Sequence, residues 1–138
     1  MENNKLKNTL MATEHQKYRR MAEERVADEV RQVLSHNEGE GLKWIGTNVD
    51  LMEALHVAYS TGILTDENGI CLSFSHIVGR ACSVLHVAVP SNPYETAARG
   101  RRRKGRLMST YMNRYELQMR QCSSVLWQEI QAGKTFVP

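Results

Sequence analysis

The sequence predicts a mainly α-helical fold: a helix-turn-helix or winged-helix-like bundle with a long N-terminal and a long C-terminal helix. Three observations lead there. Apolar residues recur at steps of three and four through most of the chain, capping patterns stand in front of several of these stripes, and strand signals are short. With 138 residues, 41% of them hydrophobic, the chain is long enough for one modest core. The predicted organisation is an N-terminal helix with a disordered start over residues 1–36 and a helical domain over residues 42–133.

The first helix is expected to start after Thr13 as its cap and to run to about Ser35, with Tyr18, Ala22, Val26, Val30, Val33 and Leu34 on one stripe. Asn37 to Gly41, with two glycines and two glutamates, reads as a linker. Trp44 is expected to anchor the start of the second helix, where Thr47 and Asp50 form a T-x-x-D cap. Leu51, Ala54, Leu55, Ala58 and Tyr59 give that helix its apolar face, and Gly62 ends it.

Asp66 to Gly69 has turn chemistry, with a very short strand expected over Ile70 to Leu72. Ser73 caps a third helix with Ile77, Ala81, Val84 and Leu85 inward, followed by an extended stretch to Pro90. Asn92, Pro93 and Glu95 start a fourth helix with few apolar residues, which is therefore expected on the surface. After Gly105 a long final helix is expected, with Met108, Tyr111, Tyr115, Cys122, Leu126 and Ile130 as its stripe and Gly133 as its stop.

Net charge is +3 at pH 7, but its distribution is uneven. Between Pro93 and Arg120 eight basic residues stand against two acidic ones, so this stretch carries +6 and the remainder −3. Such polarity orients a molecule toward a polyanion. The run R-G-R-R-R-K-G-R supplies the candidate DNA contacts: Arg99, Arg101, Arg102, Arg103, Lys104 and Arg106. Guanidinium forks match phosphate oxygens and guanine edges. Ala97, Ala98 and Gly100 would let the helix backbone approach a major groove, and the order of elements resembles helix-turn-helix or winged-helix recognition. The same run also reads as a solvated turn, or as a site for an acidic protein or an anionic membrane surface. The helix beside it lacks the Trp and Phe face of a membrane binder.

Other chemistry is weakly signalled. Three widely spaced cysteines, without a C-x-x-C pair, suggest neither a disulfide framework nor a zinc knuckle, and fit a reducing cytoplasm. No apolar run approaches the roughly 20 residues of a membrane helix. Cys82 and His86 have a ligand-like spacing but lack a second pair of ligands, so no metal and no cofactor are expected. His56 and His76 read as packed or solvent-facing. No catalytic motif is present, so neither an enzyme nor a small-molecule substrate is expected.

Lys43-Trp44, the segment L-M-E-A-L-H-V-A-Y-S-T-G-I-L from Leu51 to Leu64, the helix with Ile77 and Leu85, Tyr94-x-Thr96 and Arg101-x-Arg103-Lys104 resemble the RteC family. The resemblance covers roughly residues 42–120. It implies a cytoplasmic regulator of a mobile element in Bacteroides-type bacteria, controlling conjugative-transposon excision or transcription through a winged-helix region on double-stranded DNA. The sequence departs from the family pattern at Ala97, Ala98 and Gly100, where the family has bulky apolar residues, and at Leu107-Met108, where it has Arg-Thr. The alternative from a different class is a helical interaction module without direct nucleic-acid binding. In it the stripes of Tyr18, Val26 and Val33 and of Tyr111, Tyr115 and Leu126 pair within one chain or across a homodimer.

Overall fold

Thr47, Ser73, Asn92 and Thr110 each turn a side-chain oxygen onto a backbone N–H three residues on, and each starts a helix. The computed structural model describes residues 2–103 and 110–132, with side chains from Thr13 onward. Its elements are α1 (Glu2–Ser35), β1 (Lys43–Trp44), α2 (Asn48–Ser60), α3 (Phe74–Leu85), α4 (Pro93–Arg101), α5 (Tyr111–Gln118) and β2 (Ile130–Gln131). The protein is mainly helical, as predicted. Among the described residues no helix is long and apolar enough to cross a membrane.

α1 begins at Glu2, well ahead of Thr13, which is therefore not its cap, and takes in residues for which the sequence predicts disorder. Ala22, Val26, Ala27, Val30 and Val33 are buried, whereas Tyr18, expected on the same stripe, is exposed under the Arg120 guanidinium. Past Ser35, Asn37 caps a 3₁₀ turn over Glu38–Glu40, and Gly41 takes a left-handed conformation (φ 74°), so the linker is itself a capped turn. Arg80 of α3 reaches back to the carbonyls of Leu34 (3.2 Å) and His36 (2.6 Å), giving partners to acceptors that the end of α1 leaves open.

α2 is the central helix, touching α1, α3, α4 and α5. From Asp50 to Leu55 every side chain is buried, on all faces. The expected anchor is in place: Trp44 is buried, and its indole Nε1 donates to the Thr47 carbonyl at 2.8 Å. β1 pairs antiparallel with β2, Lys43 opposite Gln131 and Trp44 opposite Ile130, which seats the C-terminal segment beside the start of α2.

Residues 61–73 join α2 to α3 through the predicted turn, in which the Asp66 carboxylate accepts from the N–H groups of Asn68 and Ile70. The strand expected over Ile70 to Leu72 is only a single bridge, Thr65 with Cys71. This connection is much longer than the 3–4 residues usual in a helix-turn-helix. α3 buries Phe74, Ile77, Val78, Ala81, Cys82, Val84 and Leu85.

α4 is not a free surface helix. Thr96, Ala97 and Gly100 are buried, and α2 is its main packing partner. Of the small residues expected to admit a DNA groove, Ala97 and Gly100 are spent inward, toward α2, and Ala98 is half-buried. A Cβ on Gly100 would lie 2.8 Å from Glu53 Oε1 and 3.1 Å from Val49 Cγ1.

The long C-terminal helix is overturned. α5 ends at Gln118, a 3₁₀ turn spans Leu126–Glu129, and the chain finishes in β2. Turns at Gln121 and Cys122, whose N–H groups both bond the Gln118 carbonyl, follow α5, and the Leu126 N–H, which a continuous helix would bond four residues back, donates to Glu29 of α1 at 3.0 Å. The same carboxylate oxygen accepts from the Tyr115 hydroxyl at 2.6 Å. The stripe still reports burial correctly, since Tyr111, Tyr115 and Leu126 are all in the core, so that pairing surface is used within the chain. Met108 and Gly133 lie outside the described residues.

Two helical glycines should respond oppositely to alanine. At Gly79 nothing stands within 4 Å of an added Cβ, so Gly79→Ala should stabilise by about 0.5–1 kcal/mol. At Gly100 overpacking costs about 1–3 kcal/mol, outweighing that gain. Urea unfolding of the two variants checks this, and a Gly100→Ala variant as stable as the parent would contradict the close α2–α4 contact.

Candidate nucleic-acid interface

Once Gly100 must face α2, the phase of the helix sets its neighbours. At about 100° per residue, Arg99 and Arg101 flank the buried side and Arg102 continues outward. All three are exposed. Arg99 makes no hydrogen bond or ion pair among the described residues. Arg102 pairs with Glu95 at 2.8 Å, with both side chains more than half exposed, so the pair is worth little and is easily exchanged for another anion. Arg101 Nη1 donates to His56 Nδ1 at 2.7 Å. Burial, and then the Arg101 charge, hold the His56 pKa below its ordinary value, so the imidazole is the neutral acceptor this contact needs. Arg99 and Arg101 also stand in the last turn of α4, where cations complement the helix dipole.

Arg103 behaves differently. It turns inward, with its side chain 19% exposed, and donates to Asp50 Oδ1 at 3.1 Å. Arg114 of α5 donates to the same oxygen at 2.6 Å. Burial opposes the Arg114 charge, but the hydrogen bond and charge of Asp50 outweigh it and raise the pKa above its usual value. Of the six predicted contacts, then, Arg99, Arg101 and Arg102 are exposed around the end of α4, and Arg103 turns inward to Asp50. Lys104 and Arg106 lie outside the described residues.

Three features escaped the sequence reading. The first is Glu53, 1% exposed, whose two oxygens accept from the N–H groups of Tyr111 (3.1 Å) and Met112 (3.0 Å). Thr110 takes the Asn113 N–H, so the first three amides of α5 all have acceptors, and the carboxylate sits at the positive end of the helix. A D-x-x-E pair on an otherwise apolar helix was the available signal. The second is Glu29, buried with its pKa raised by desolvation against the pull of Tyr115 and the Leu126 and Trp127 amides. The third is an aromatic group at the junction of α2, α3 and α4: His56, Tyr59, Phe74 and Tyr94.

The remaining candidates are placed as follows. Cys82 is buried, its thiol pushed up to about 11 by desolvation. His86, four residues on, is the left-handed C-cap of α3 (φ 57°). His76 is exposed on α3. Among the described residues no three metal-ligating side chains converge.

Comparison with protein-family models, with curated proteins and with solved structures finds no match to this chain.

The split among the arginines has a measurable consequence. Arg103→Ala removes a charge-assisted hydrogen bond from a buried carboxylate and should cost about 1.5–3 kcal/mol of stability. Arg99→Ala should stay within about 0.5 kcal/mol of the parent. Chemical denaturation separates them, and equal stabilities would contradict the inward placement of Arg103.

Proposed function

We propose that the protein binds DNA through the outward end of α4, with Arg99, Arg101 and Arg102 neutralising phosphates. The carrying observation is that all three side chains are exposed around the C-terminal turn of α4, with the one acid of that helix, Glu95, already paired to Arg102. Lys104 and Arg106, next in the chain, add to the same basic run. Phosphate contacts of this kind give affinity and register rather than sequence discrimination.

The resemblance of residues 42–120 to the RteC family supports placing this activity in a regulator or accessory factor of a mobile element, acting on double-stranded DNA in the cytoplasm. In that reading Arg101 is the residue shared by the family-like group and the exposed surface. Arg103, also in that group, acts by fixing the end of α4.

Fluorescence anisotropy with a labelled random duplex tests the proposal. Three to five phosphate contacts predict that log affinity falls with log salt at a slope between about −3 and −5. Arg99→Ala/Arg102→Ala should flatten the slope by about 2 units. These two residues are chosen because neither holds a buried group. A salt-independent interaction, or none at low salt, contradicts the proposal.

A further inference from the structure

On the Arg101 side of α4, Tyr59 and Tyr94 remain 37% and 52% exposed. Their rings do not stand alone. Phe74, 2% exposed, lies beneath them, with its ring centre 4.6 Å from that of Tyr94 and 5.6 Å from that of Tyr59. His56 sits 5.2 Å from Phe74, 5.8 Å from Tyr59 and 5.9 Å from Tyr94. Three helices thus build one aromatic shelf, its rings held in place by edge-to-face and tilted contacts. Arg101 joins its edge through the 2.7 Å contact to His56.

The three helices that build the shelf leave no unpaired exposed acid on it. α3 contains no acidic residue, the acids of α2 are Asp50 and Glu53, both buried, and Glu95 of α4 is paired with Arg102. Burial, and then the Arg101 charge, lower the His56 pKa, and its ring accepts from the guanidinium. Rigid aromatic rings with a guanidinium, Arg101, at their edge are suited to a ligand that is flat, apolar on its faces and anionic along its chain. An unpaired nucleotide fits this description, because its base offers a π-face and its backbone a phosphate. A base inside a duplex does not, since both its faces are already stacked.

Resting on the DNA-binding reading above, we infer that the shelf of Tyr59 and Tyr94, with Arg101 at its edge, stacks an unpaired base of a DNA strand while the α4 arginines hold the adjoining phosphates. The protein would then favour sites with exposed bases, such as a frayed end, a bulge or an opened junction, over uninterrupted duplex.

The test compares a labelled mixed-sequence single strand with the duplex of the same sequence, at one salt concentration, for the parent, Tyr94→Ala and Tyr94→Phe. The inference predicts that Tyr94→Ala weakens strand binding at least about fivefold while duplex binding changes by less than about twofold, and that Tyr94→Phe, which keeps the ring, binds the strand like the parent. Tyr59→Ala, in the exposed last turn of α2, repeats the test if Tyr94→Ala does not melt like the parent. If duplex binding persists but neither tyrosine variant affects the strand, or strand and duplex weaken together, the shelf is not a base platform and the DNA-binding reading stands without it. If the parent binds neither probe, both are overturned.

Discussion

Asp50 and Glu53, one turn apart on the central helix, hold the two sides of the segment that joins α4 to α5. Asp50 takes Arg103 from one side and Arg114 from the other, and Glu53 takes the first two amides of α5. A carboxylate buried without partners would cost several kcal/mol, so each must find donors or the helix cannot be central. The donors present are the strongest a fold can offer: guanidinium forks and the positive end of a helix. Gly100 follows from this, because a side chain there would displace the Glu53 oxygen that α5 needs. With Gly100 inward, the arginines beside it have only the solvent side. The display of the basic surface is thus a consequence of how buried acid is satisfied.

Glu29 repeats the device at the other side of the molecule. From α1 it gathers the Tyr115 hydroxyl and the Leu126 amide, tying α5 to the 3₁₀ turn that leads into β2. Acid therefore works inside the protein at three points, Asp50, Glu53 and Glu29. This reshapes the charge argument drawn from the chain. The basic stretch is formally +6, but Arg103 and Arg114 are already committed to Asp50, so fewer cations face a partner than the count suggests.

What could be read from the sequence was local. Thr47, Ser73 and Asn92 announce their helices because a cap and the amide it serves are three residues apart, and the burial of Leu51, Leu55, Ile77 and Leu85 follows from period alone. Asp66 and Gly69 fix their turn in the same way. What could not be read depends on contacts between distant residues. The course of the chain after α5 is tied to Glu29, on another helix, through the Leu126 amide. Ala97 and Gly100 looked like room for a ligand and proved to be room for α2, a choice no one-dimensional pattern contains. Arg99 and Arg103 belong to one run of letters, yet one faces solvent and the other a buried carboxylate. The aromatic shelf draws on positions 56, 59, 74 and 94, which only the folded chain brings together.

The measurement closest to the central claim is a nuclear magnetic resonance titration that follows the arginine side-chain Nε–Hε signals as duplex DNA is added. The account predicts that the signals of Arg99, Arg101 and Arg102 shift, while those of Arg103 and Arg114, held by Asp50, stay where they are. Shifts of Arg103 and Arg114 alongside the others, or no arginine shift at all, would contradict it.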